Sequence, residues 1–267
     1  MYETTIQANT SHMHILQKLA EQLQPFIQSH HGLLATLHIP TGKQLTFAVP
    51  EKYSALLQKQ IRHYVACFIC EEEKYQYFVK NIVFSSQSEW WKEAFFLTLT
   101  QMDEQTDIQM LEHAIHFQHW FSISSFVYFH MHTLTQRWKE ISSLITQNLQ
   151  ALMLTNSTTE LVKYVLQSEP KQCMSLHIVF TSTHIEISQN LSKPLASWSL
   201  AQSHSAQRQA LTFVIKHLPQ KLYIHTQTNN AFATFLGELF EHNAYTMHTN
   251  TNTQTFQTVP SSSNINS

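Results

Sequence analysis

Apolar positions repeat along this chain with two different periods, and the changes of period mark out its elements. They change fastest between Gln207 and Met247. Leu211, Val214, Ile215 and Leu218 fall on one helical face, and Pro219 stops that helix. Lys221 to His225 then alternate as a strand, and Thr226 to Asn230 form a polar turn. Phe232, Phe235, Leu236 and Leu239 line a second helix, and Tyr245 to Met247 close the tract as a strand. Two helix-to-strand transitions in so short a stretch predict the α/β end of a globular domain.

Upstream, the same reading gives a strand near Glu3 to Gln7 and a helix from Ser11 to Gln28 through Ile15, Leu19, Leu23 and Phe26. A hairpin follows, Leu33 to Ile39 against Gln44 to Val49 across Pro40-Thr41-Gly42-Lys43. Helical spacing then dominates from Glu51 to Ser168, with a long helix from about Lys52 to Ile82. Breaks fall near Ser85 to Ser88, Asp103 to Thr106, Phe121 to Ser124 and Thr155 to Ser157. A strand pair, Ser175 to Phe180 and His184 to Ser188, precedes the α/β tract.

The expected fold is therefore α+β and helix-rich. It has a small N-terminal β-α-β-β section over 1–50, a helical middle over 51–168 and a C-terminal α/β section with a mixed sheet over 169–249. The Thr-, Asn-, Gln- and Ser-rich remainder, 250–267, has the composition of a disordered tail.

Composition narrows the function. Only 13% of residues are Asp, Glu, Lys or Arg, against a usual share of about a quarter, so the polar surface falls to Gln, Thr, Ser, Asn and 18 histidines. A net charge of -2 without clustered Lys and Arg leaves no electrostatic footprint for nucleic acid. The three glycines, Gly32, Gly42 and Gly237, are too scattered for a phosphate-cradling loop, and no Gly-x-Ser-x-Gly elbow occurs. No apolar run reaches the roughly eighteen residues of a membrane span, and Met1 to Gln7 lacks the features of a signal peptide. The expectation is a cytoplasmic protein. Cys67, Cys70 and Cys173 are an odd number, and Cys67-Phe68-Ile69-Cys70 lies inside a helical pattern. The pair reads as buried small hydrophobes rather than a redox motif.

Several strings recur in an order that carries more information than any one of them. They are Ser125-Phe126-Val127-Tyr128-Phe129-His130-Met131, Lys163-Tyr164-Val165-Leu166 with Glu169-Pro170-Lys171, Leu176-His177-Ile178-Val179, and Pro219-Gln220-Lys221-Leu222-Tyr223-Ile224-His225. Between Phe121 and Thr249 the chain thus resembles the YtxC-like sporulation protein family. That family has a Gly-Phe-led helix start containing an Arg, a Val-His-Val strand and a Pro-Lys-Lys-led strand ending in His. Ser125 stands at the Gly and His130 at the Arg, and the C-terminal Cys residues of several relatives are missing. The resemblance implies a cytosolic accessory or interaction protein of endospore-forming bacteria, with a protein partner, no cofactor and no defined reaction.

Histidine supplies the candidate chemistry. His177 and His225 both sit on predicted strands at positions that match the family pattern. His225 closes its strand where sheet ligands collect, beside Thr226, Gln227 and Asn229. His177, His225, Thr226 and Asn229 are the candidate binding residues. His113, His116 and His119 recur every third residue beside Glu112, and on a helix adjacent members are offset by about 60° and one turn. A divalent metal held there, or near His225, would support a hydrolase-like enzyme instead. His12 and His14, two residues apart, would point to different faces of a helix, and Glu71-Glu72-Glu73 reads as a solvated face. Trp90, Trp91, Trp120 and Phe121 follow breaks between helices and form the candidate partner surface.

Overall fold

The computed structural model describes all residues except 84–87, 155–156, 169–170, 172, 190–193, 227–229, 249–257 and 260–267. In chain order its elements begin with β1 (Tyr2–Asn9), α1 (Met13–Ser29), β2 (Leu33–Ile39), β3 (Gly42–Val49) and α2 (Ser54–Asn81). Next come α3 (Glu89–Gln101), α4 (Glu104–Ala114), β4 (Trp120–Ser122), α5 (Ile123–His130), α6 (His132–Leu154) and α7 (Ser157–Ser168). The chain continues through β5 (Cys173–Phe180), β6 (His184–Ser188), β7 (Pro194–Ser199), α8 (Ser203–His217), β8 (Pro219–Thr226), α9 (Ala231–Leu239), β9 (Ala244–His248) and β10 (Thr258–Val259). The fold is α+β and helix-rich with two mixed sheets, as the periodicities require. Among the described residues no helix is long and apolar enough to cross a membrane.

Contacts group the chain into two compact units, Met1–Val83 with Asp103–Gln147, and Phe84–Met102 with Asn148–Ser267. The expected helical middle, 51–168, is shared between them. Of the expected tail, Thr258–Val259 pairs antiparallel with Met247 and Thr246.

In the first unit the sheet order is β2-β3-β1-β4, with β1 antiparallel to β3 and parallel to β4. Alternation puts Tyr2, Thr4, Ile6 and Ala8 on the buried face beside Leu45, Phe47 and Val49. Helix α1 covers β1 and β3 with Ile15, Leu16, Leu19, Leu23 and Ile27; the first, third and fourth are the positions that the sequence spacing places inward, whereas Phe26 is only half-buried and Ile27 takes its place in the core. The hairpin loop is tighter than expected, because Gly42 and Lys43 already belong to β3. A Cβ at Gly42 would overlap the carbonyl oxygen of Ala8, so this turn requires glycine. Strand β4 lies within the tract read as helical; three residues are too few to show alternation.

Helices α2, α4 and α6 meet at a buried charge. The Lys74 ammonium donates to Asp107 Oδ2 at 2.7 Å with both side chains sealed from solvent, and the Trp138 indole N–H donates to the same oxygen at 3.0 Å. The second carboxylate oxygen, Oδ1, has no hydrogen-bond partner and faces Arg137 at 3.9 Å.

In the second unit the sheet order is β10-β9-β8-β5-β6-β7; β8 runs parallel to both neighbours, and β5, β6 and β7 form an antiparallel meander. Leu176, Ile178, Phe180, Ile185, Ile187, Leu222 and Ile224 form its apolar face. Leu211, Val214 and Ile215 of α8 and Phe232, Phe235, Leu236 and Leu239 of α9 are buried as their helical spacing predicts. Asn230 Oδ1 caps α9 by accepting from the N–H groups of Phe232 and Ala233. Strand β7 is a further element without a clear sequence signal, since its Leu195 points to solvent.

The buried pair predicts a specific mutational pattern. Asp107→Asn should cost about 3–5 kcal/mol in urea unfolding, because it removes the carboxylate charge that faces the buried Lys74 ammonium, whereas Lys74→Met with Asp107→Leu should recover most of that loss. Equal losses in the single and double variants would show that the pair's packing, not its charge, matters.

Candidate functional site

The parallel pairing of β5 with β8 sets His177 beside Tyr223 and Val179 beside His225, and β9 adds Tyr245 next to Tyr223. His177, Tyr223, His225 and Tyr245 therefore emerge on the sheet face opposite Leu176, Ile178, Leu222 and Ile224. His177 Nδ1 and His225 Nε2 are 3.0 Å apart. With ring centroids 5.3 Å apart and planes within 21°, the two imidazoles meet edge to edge, so one ring donates its N–H and the other accepts. His177 also lies over Tyr223, with centroids 4.6 Å apart, and Tyr223 lies 5.3 Å from Tyr245, giving a row of rings across three strands.

Burial lowers the pKa of His177 below the usual imidazole range, and it lowers that of His225 for the same reason, with the His177 charge adding to the effect. Both rings are thus neutral at neutral pH. The pair can relay a proton or present a lone pair, and among the described residues neither ring is hydrogen-bonded to a carboxylate that would orient it as a base. Thr226 is buried at the end of the same strand; Gln227 and Asn229 lie outside the described residues.

A second feature of this unit is a groove of about 490 Å³ between the start of α3 and the outer face of α9. Trp90 and Trp91 form one wall, and Ala231, Thr234 and Glu238, spaced along the exposed stripe of α9, line the other. Phe235 anchors the aromatic side, 5.8 Å from Trp90 and 5.1 Å from Trp91 in an edge-to-face arrangement. Glu238 carries the only charge among the lining residues.

The remaining expected candidates are placed differently. Trp120 and Phe121 belong to the first unit, where Trp120 is 56% exposed and Phe121 is buried between Phe117 and Phe126. Phe121 is therefore core rather than surface. The helix invoked to align His113, His116 and His119 ends at Ala114, leaving His116 outside any helix and His119 in a bend. His119 Nδ1 instead donates to the Glu3 carbonyl at 2.9 Å. Among the described residues no group of three His, Cys, Asp or Glu side chains is placed to hold a metal ion.

Sequence reading missed other pairings of the first unit. His12 Nε2 lies 3.0 Å from Glu73, and His12 Nδ1 lies 3.1 Å from both Ser124 Oγ and Asn9 Oδ1; His14 reaches Glu72 at 3.5 Å. Two of the three glutamates read as a solvated face thus meet histidines from the start of α1. His12 ends a 3-10 turn, Thr10–His12, just before α1, so the α-helical spacing that would set it apart from His14 does not apply to it. Only long-range packing reveals these pairs, because nothing in the local spacing matches Glu72 and Glu73 to the His12–His14 segment.

Comparison with protein-family models, curated proteins and solved structures gives no match. The YtxC-like resemblance therefore rests on the residue strings that carry it.

The histidine pair predicts a pH signature. Unfolded, each imidazole takes up a proton near the ordinary value of 6.5, whereas the folded pair resists protonation until lower pH. The unfolded chain then binds more protons, so stability is full above about pH 6.5 and falls as pH drops towards the folded values, by at most about 1.4 kcal/mol per pH unit for each proton. Urea unfolding of wild type and of His177→Asn/His225→Gln between pH 7.5 and about 5 should show a steeper acid loss in wild type. Parallel pH profiles would exclude the pair as a source of acid sensitivity.

Proposed function

We propose that this protein is a non-enzymatic accessory protein of the YtxC-like sporulation type, working in the cytosol of an endospore-forming bacterium and holding a protein partner in the groove of its second unit. The observation that carries this reading is the groove itself. Two half-exposed tryptophans and a phenylalanine surround small and polar side chains, the composition that concentrates binding energy at protein interfaces. A second reading is favoured by the 3.0 Å approach of His177 and His225, which could serve hydrolytic chemistry with a divalent metal. It is ranked lower because a metal centre of that kind needs a carboxylate or a third nitrogen or sulfur ligand, and Val179 separates Glu186 from His225 along their shared row of the sheet.

One complementation experiment separates these readings. Deleting the gene in its host should lower the yield of heat-resistant spores, and the wild-type chain and His225→Gln should both restore it. Trp91→Ala, and Ala231→Arg placed in the groove, should fail to do so while accumulating as folded protein. Rescue by Trp91→Ala with failure of His225→Gln would transfer the function to the histidine pair, and normal spores in the deletion strain would remove the sporulation role.

A further inference from the structure

Strand β2 is the edge of the first unit's sheet, and it carries none of the devices that keep sheet edges from pairing. Its sequence, Leu33-Leu34-Ala35-Thr36-Leu37-His38-Ile39, has no Asp, Glu, Lys, Arg or Pro. Its register with β3 runs unbroken from Leu33 opposite Ala48 to Ile39 opposite Gly42, so no bulge twists the edge away. Leu33 is 68% exposed and Leu37 60% exposed, although both sit in a regular strand.

The loop between β2 and β3 has two residues, Pro40 and Thr41, so Ile39 and Gly42 form the hydrogen-bonded pair that closes the hairpin. Pairs alternate from there. Leu37, Ala35 and Leu33 turn their main-chain groups towards β3, and Leu34, Thr36 and His38 turn theirs outward.

We infer that β2 pairs antiparallel with β2 of a second copy of this chain, about a twofold axis at Thr36, joining the two four-stranded sheets into one. In this register Thr36 pairs with Thr36 and Leu34 with His38, so every outward N–H and C=O of both edges is satisfied. Leu33 then faces Ile39, and Ala35 faces Leu37, all on one side of the sheet. These contacts cover the two exposed leucines of each copy with apolar partners. Because the strand has no Asp, Glu, Lys or Arg, no like-charged carboxylates, ammonium groups or guanidinium groups of the two strands oppose one another.

The arrangement makes one position diagnostic. Thr36→Pro removes an N–H that points away from β3, so the chain's own ladder survives while the pairing with a second copy loses its central bonds. Light scattering on the purified full chain should give twice the chain mass of 31.1 kDa for wild type. It should give a single chain mass for Thr36→Pro and for Leu37→Lys, each with an unchanged circular dichroism spectrum. A wild-type chain that stays single at micromolar concentration would overturn the inference. So would a dimer that persists in folded Leu37→Lys, which tests the same edge without proline.

Discussion

An ion pair with no access to water holds the helical part of the first unit together. Lys74 from α2 and Asp107 from α4 meet at 2.7 Å, and Trp138 from α6 donates to the same oxygen, so three helices separated in sequence converge on one atom. Such a pair contributes little net stability, because desolvation offsets most of its Coulomb energy, but it penalises any packing that leaves either charge alone. It therefore selects one arrangement of α2, α4 and α6 among those that apolar burial would tolerate. Cys70, one turn before Lys74, shows how closed this environment is. Burial pushes its thiol up to about 12, and the nearby Lys74 charge only partly opposes this. The other cysteine of the Cys-x-x-Cys spacing, Cys67, is only half-buried, with its Sγ 3.7 Å from His63 Nε2, so the two thiols are not buried together as their spacing suggests.

In the second unit the decisive constraint is strand register. His177 and His225 share a sheet face only because β5 and β8 pair with His177 against Tyr223 and Val179 against His225. A slip of one residue would send the apolar set of one strand to the open face and part the two imidazoles. The apolar residues Leu176, Ile178, Leu222 and Ile224 forbid that slip, so the core on one side of the sheet fixes the polar pair on the other.

This division explains what could be read from the sequence. Residues such as Leu211, Val214, Phe235 and Leu236 reveal their helices because burial imposes a period, and the strand ending at His225 is legible for the same reason. His177 and His225 could be named individually, but their distance depends on pairing between strands separated by two further strands and a helix. The His12–Glu73 and Lys74–Asp107 pairs were illegible because polar contacts between segments distant in sequence leave no periodic mark. His113, His116 and His119 mislead in the opposite way: their spacing fits a helix, yet the chain leaves the helix at Ala114, where His119 is used to hold the Glu3 carbonyl. Trp90 and Trp91 precede a stretch of α3 that is wholly buried, and their own half-exposure becomes apparent only when α9 is seen to present small side chains opposite them.

The shortage of ionic groups gives the groove and the histidine pair different standing. A surface with few charges recognises partners mainly through aromatic area, hydroxyls and amides, whose contributions depend on shape more than on long-range attraction. The groove fits that mode, since Trp90, Trp91 and Phe235 offer large rigid faces, Thr234 a polar contact, and Glu238 a single charge to set orientation. Catalysis makes the opposite demand, requiring a concentrated set of ionisable groups held near one another. The pair at His177 and His225 supplies two neutral rings, and the adjoining row is filled by the stacked rings of Tyr223 and Tyr245. Aromatic residues thus line an open groove, while among the described residues the two histidines have no hydrogen-bonded carboxylate, and it is this contrast that supports the proposal of a protein-holding role.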